Sequence, residues 1–120
     1  MGDSGVTVLV VEDEVLVRMD IVESLEDDGF DVLEASNADE AIVLLNAHPE
    51  VRLMFTDIDM PGSMDGLKLA AAVRDRWPPV KIIVTSGHLQ MSDDMLPVVG
   101  RFFSKPYDPS NVIHAIREMI

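Results

Sequence analysis

Short apolar runs alternate along the chain with stretches that repeat every three to four residues. Residues 6–11 (VTVLVV) are rich in valine and bounded by acids, the pattern of a buried strand. Residues 14–29 (EVLVRMDIVESLEDDG) follow with helical spacing at Val15, Met19, Val22 and Glu26, closed by Gly29. Residues 30–35 (FDVLEA) predict a second strand. Residues 37–48 (NADEAIVLLNAH) open on Asn37 with Glu40 three positions on, the arrangement of a capping box, and set Ala38, Ala41, Ile42 and Leu45 on one face. Residues 52–56 (RLMFT) read as a third strand. Asp65-Gly66 then opens a helix over LKLAAAVRDRW, which Pro78-Pro79 ends. KIIVTS (81–86) and RFFS (101–104) are the fourth and fifth strands, separated by a short, weak helical signal at 91–97 (MSDDMLP). The chain ends in DPSNVIHAIREMI, with Asp108 as N-cap, Pro109 in the first turn, and Val112, Ile113, Ile116, Met119 and Ile120 in one stripe.

Five strand-helix units in succession predict an α/β fold with a parallel sheet and helices on both faces. A flavodoxin-like sheet of five strands in the order 2-1-3-4-5 fits the length. In that order the chain reverses between the first and third strands, and ligands bind in the crevice at their carboxyl ends. The 120 residues suit one domain over 1–120, with 1–5 as a flexible start.

Composition narrows the chemistry. Apolar residues make up 48% of the chain, enough for a real core. The absence of cysteine excludes disulfides, thiolate metal sites and a thiol nucleophile, and suits a cytoplasmic protein. A net charge of −13 disfavours direct nucleic-acid binding and favours a cation. No apolar run is long enough to span a membrane. Neither a Walker A nor a GxGxxG sequence is present.

The residues just past each predicted strand hold the candidate site. Glu12-Asp13-Glu14 follow the first strand, and Asp57 and Asp59 follow the third. Thr85-Ser86-Gly87 end the fourth, and Ser104-Lys105-Pro106 end the fifth. Alone, each has an ordinary reading: acids favour a helix N-terminus, an aspartate caps a turn, a lysine is a solvated charge. Together, at successive strand ends, they describe one crevice. Like charges about 4 Å apart repel by roughly 4 kcal/mol at an effective dielectric of ~20. A hard cation with oxygen ligands offsets that, and Mg²⁺ (or Mn²⁺) suits a few carboxylates. Lys105 can hold a phosphoryl oxygen and Ser86 can donate a hydrogen bond to one. Such a set suits phosphoryl transfer to a carboxylate.

From VLVVEDE to the final helix the chain resembles the receiver domain of two-component response regulators, the CheY-like family. The matching residues are Glu12-Asp13, Asp57 in DIDMPGSMDG, Ser86-Gly87 and Lys105-Pro106. The resemblance implies that Asp57 is the phosphoacceptor and that Glu12, Asp13, Asp57 and the backbone carbonyl of Asp59 surround Mg²⁺. It implies that Lys105 and Ser86 contact the phosphoryl group, that Ser86 and Phe102 switch on activation, and that Lys105-Pro106 is a cis peptide bond. It further implies a histidine kinase or histidine phosphotransfer protein as donor and a downstream protein partner. By analogy it implies a homodimer through the 91–97 helix, the fifth strand and the last helix. The chain would act as a phosphorylation-dependent switch, not a multiple-turnover enzyme. The loop after Asp57 carries one residue more than the commonest family pattern, and Phe102 stands where tyrosine is frequent.

Two other classes share features. FTDIDMP looks like the nucleophile motif of haloacid-dehalogenase-type phosphatases, with Asp57 and Asp59 as nucleophile and general acid. Two strand-helix units precede it here, however, and no cap domain fits. A flavodoxin-like cofactor binder would share the fold, but aromatics are 5% of the chain and a phosphate-cradling glycine loop is missing.

Overall fold

The computed structural model describes residues 5–60, 64–87 and 100–120. Its elements run β1 (Thr7–Val11), α1 (Val15–Asp27), β2 (Asp31–Ala35), α2 (Ala38–Ala47), β3 (Val51–Asp57), α3 (Gly66–Arg76), β4 (Lys81–Ser86), β5 (Gly100–Ser104) and α4 (Pro109–Met119). The helical signal at 91–97 lies outside the described residues. The strands form one parallel sheet in the order β2-β1-β3-β4-β5, as the alternation of patterns predicts.

Burial explains why the strands read as continuous apolar runs. Helices cover both faces, so all five residues of β1 are buried. Alternate strand residues feed two cores. Leu9, Val11, Met54, Ile82 and Val84 pack with α2 and α3 through Ala41, Leu45, Leu69 and Val73. Val8, Val10, Leu53, Phe55 and Ile83 pack with α1 and α4 through Ile21, Leu25, Val112 and Ile116. Trp77 covers the first core beside Pro78, with the Arg76 guanidinium 4.5 Å from its ring centroid.

The helix ends follow their capping chemistry. Asn37 Oδ1 accepts the Glu40 N–H at 2.8 Å, while the Glu40 carboxylate reaches back to the Ser36 N–H and hydroxyl, one residue before the cap. Asp65 Oδ1 accepts the Lys68 N–H at 2.9 Å, and Asp108 Oδ1 accepts that of Ser110 at 2.9 Å. Gly29 closes α1 at φ 97°, a left-handed conformation that glycine adopts without strain.

Two differences from the sequence pattern matter. First, β3 reaches Asp57 rather than stopping at residue 56, so that aspartate sits on the sheet itself. Second, the buried stripe of α1 is Ile21, Val22 and Leu25, whereas Val15 and Met19 are exposed. The helix begins at the C-terminal edge of the sheet, so its first turns overhang the strand ends where no neighbour among the described residues covers them.

Candidate functional site

The switch point between β1 and β3 gathers the acids. Glu12 follows the last residue of β1, and its backbone N–H donates to the Ala35 carbonyl at 3.0 Å. Its side chain is fully buried, and Oε2 accepts the Glu14 N–H at 3.1 Å. Asp57 ends β3 and is 1% exposed. Carboxylate oxygens of Glu12, Asp13 and Asp57 all lie within 4.8 Å of one another.

Lys105 bridges this cluster from the end of β5. Its Nζ lies 2.9 Å from Glu12 Oε1, a close ion pair rather than an aligned hydrogen bond, and donates to Asp57 Oδ2 at 3.1 Å. Burial alone would lower the Lys105 pKa. The two carboxylates outweigh it and hold the ammonium above its ordinary range. Burial pushes Glu12 up to about 7, against the nearby Lys105 ammonium and the hydrogen bond from the Glu14 N–H. Burial likewise raises Tyr107, followed by the charge of Glu12, and the ring packs edge-on against Phe55 at 5.4 Å. The Lys105–Pro106 peptide bond is cis.

Asp59 lies next to this cluster. Its backbone N–H donates to Asp57 Oδ1 at 3.1 Å. Its carboxylate accepts the Ser86 hydroxyl at 2.7 Å and the Gly87 N–H at 3.3 Å. Phe102 on β5 pairs in register with Val84 on β4 and is half-buried against the core that α2 and α3 share. The chain thus brings Glu12, Asp13, Asp57, Lys105, Asp59 and Ser86 to one edge of the sheet, with Phe102 further back along β5.

The donor set fits a hard divalent cation. It is all oxygen, three carboxylates converge, and Asp13 Oδ1 is buried without a hydrogen-bond partner among the described residues. An orphaned buried carboxylate oxygen costs free energy unless something positive meets it.

Other residues that hold the site did not stand out in the sequence. Arg18, on the first turn of α1, donates to the Glu12 backbone carbonyl at 2.7 Å and pairs with Glu34 at 3.2 Å, so it ties the loop that carries Glu12 and Asp13 to β2. Gly66 opens α3 so close to the end of β3 that a Cβ there would collide with the Asp57 carbonyl oxygen. The only signal in the sequence was the Asp-Gly step, which marks a helix start but not a close approach.

Beside the acids, a groove is lined by Leu16, Val17, Asp20, Lys105, Pro106 and Tyr107. Val15 and Met19, on the same helix as Leu16, are exposed. No helix among the described residues is long and apolar enough to cross a membrane.

Comparison with known proteins agrees with this geometry. The family model described as the response regulator receiver domain matches residues 8–117. The chain is 36% identical, over its full length, to the hydrogenase transcriptional regulatory protein HoxA of Cupriavidus necator, of which it spans 25%. It is 34% identical over 95% of its length to the sensor kinase CckA of Brucella abortus, of which it spans 12%. Among solved structures, a response regulator receiver protein from Sinorhizobium medicae WSM419 superimposes with a TM-score of 0.87 at 28% identity, covering 96% of this chain and 94% of that one.

Proposed function

The chain belongs to the response regulator receiver-domain family, a phosphorylation-dependent switch with an acidic cluster suited to metal-assisted aspartyl phosphorylation, and from that premise we propose that Asp57 is its phosphoacceptor. The observation that carries this is the joint approach of Lys105 to Asp57 and Glu12 at 3.1 and 2.9 Å, with Asp13 completing the cluster. Glu12, Asp13, Asp57 and the Asp59 carbonyl would hold Mg²⁺. When bound, the ion supplies positive charge against the equatorial phosphoryl oxygens.

The chain's own residues do the rest. An Asp57 carboxylate oxygen attacks the phosphorus of a phosphohistidine. The new O–P bond forms as the P–N bond breaks, and the leaving imidazole takes its proton from solvent. The donor would belong to a histidine kinase or phosphotransfer protein, a reading favoured by the similarity to a sensor kinase. Leu16 lines the groove beside Lys105, and Val15 and Met19 on the same helix are also exposed; these apolar side chains suit the docking of an apolar helical face there. Lys105 keeps its charge across the working pH range and so remains a partner for the arriving phosphoryl oxygens. Because the acyl phosphate adds roughly −1.5 to −2 of charge, it offers the Ser86 hydroxyl a new acceptor. Ser86 then turns toward it and Phe102 follows into the space released.

Intact-mass measurement after incubation with Mg²⁺ and acetyl phosphate tests this reading. One added phosphoryl group on the wild type, absent from Asp57→Asn, is the expected result. Equal uptake by both proteins would overturn it, and steady release of phosphate from a monoester would support the phosphatase class instead.

A further inference from the structure

The Asp59 side chain has no part in the reaction just described, yet its carboxylate accepts the hydroxyl of the switch serine. Ser86 is 1% exposed, so its hydroxyl must direct its proton to a protein acceptor. Asp59 Oδ2 takes it at 2.7 Å, a well-formed O–H···O hydrogen bond. The same oxygen takes the Gly87 N–H at 3.3 Å, so one carboxylate ties the end of β4 to the loop that leaves Asp57. The Asp59 N–H in turn donates to Asp57 Oδ1 at 3.1 Å, which fixes the position of this acceptor relative to the phosphoacceptor.

We propose that the Asp59 carboxylate is a latch: it holds the Ser86 hydroxyl in the resting state, and this contact must break before Ser86 can serve the phosphoryl group. A hydroxyl has one proton to donate. It points at Asp59 or at a phosphoryl oxygen on Asp57, and each choice excludes the other. The latch is charge-assisted, so it biases the resting state more than a neutral acceptor would. Asp59 therefore sets how much of the phosphoryl group's binding energy goes into releasing the serine. Asp59 is a positioning residue in this scheme, acting through Ser86. The inference rests on the phosphoacceptor reading above and falls with it.

A double-mutant cycle separates the latch from plain charge repulsion. Calorimetry would measure beryllofluoride affinity, in saturating Mg²⁺, for wild type, Asp59→Ala, Ser86→Ala and the double variant, with melting curves to establish that each is folded. Removing the Asp59 charge tightens binding of the anion in either background by lifting repulsion. The latch adds a further gain that exists only where Ser86 has a hydroxyl to release. The expected result is a gain about tenfold larger with Ser86 present than in the Ser86→Ala background, the scale of one charge-assisted hydrogen bond. Equal gains in both backgrounds, or no gain with Ser86 present, would overturn the latch and leave the phosphoacceptor reading intact. Failure of the wild type to bind beryllofluoride at all would overturn both.

Discussion

Glu12 carries a carboxylate with no exposed surface, and in the metal-free protein that burial holds its pKa near 7 against an ordinary 4.5. The consequence for stability has a definite sign. Below pH 4.5 the group is protonated whether the chain is folded or not. Between 4.5 and 7 the unfolded chain releases the proton while the folded chain keeps it, so stability falls as pH rises and levels off above 7. Glu12→Gln removes this penalty. In chelator, the variant is expected to be more stable than wild type at pH 8 by about 2 kcal/mol and no more stable at pH 4. Urea titrations at the two pH values check it. The same variant should bind Mg²⁺ at least tenfold more weakly, since one charged ligand is gone. Lys105→Ala acts in the opposite sense. It leaves Glu12 and Asp57 facing each other without their shared cation, so the metal-free protein should lose stability and added Mg²⁺ should restore part of it.

At the scale of elements, the approach of α3 to β3 is the tightest constraint on the site. A methyl group at Gly66 would run into the Asp57 carbonyl oxygen and stand 2.8 Å from the Ile58 Cα, and both are backbone that cannot swing away. Gly66→Ala is expected to cost about 2 kcal/mol or more in urea unfolding and to shift the Asp57 backbone. Asp65→Ala, one residue earlier, removes only the cap to Lys68 and should cost about 1 kcal/mol with the site geometry unchanged.

The five strands and their order were legible because burial on both faces leaves unbroken apolar runs, and because strand-helix alternation admits few topologies. The acids were legible because strand ends carry the site in such sheets. The buried face of α1 was not. Val15, Leu16 and Val17 put three apolar residues in a row at its start, and periodicity cannot tell a core face from an exposed apolar one. Nor could sequence spacing place Arg18 against the Glu12 carbonyl or the Asp59 carboxylate against Ser86. Those contacts depend on how the loops bend, not on which residues begin or end an element.

For the whole molecule, a net charge of −13 and three carboxylates converging at one edge of the sheet suit a divalent cation as a stabilising ligand. At 100 times its Kd, Mg²⁺ is expected to add about 2.7 kcal/mol of stability, seen as a rise in Tm that chelator reverses and that Asp13→Asn largely abolishes. The central claim is narrower still: the phosphoryl group goes to Asp57. Acyl phosphates are reduced by borohydride, which converts a phosphorylated aspartate to homoserine. Phosphorylating the protein with acetyl phosphate and Mg²⁺, trapping with borohydride and sequencing the peptides by mass spectrometry would read the site directly. Homoserine at position 57 alone, and none when Mg²⁺ is withheld, is the expected result; homoserine at Asp13 or Asp59, or none anywhere, would contradict the account.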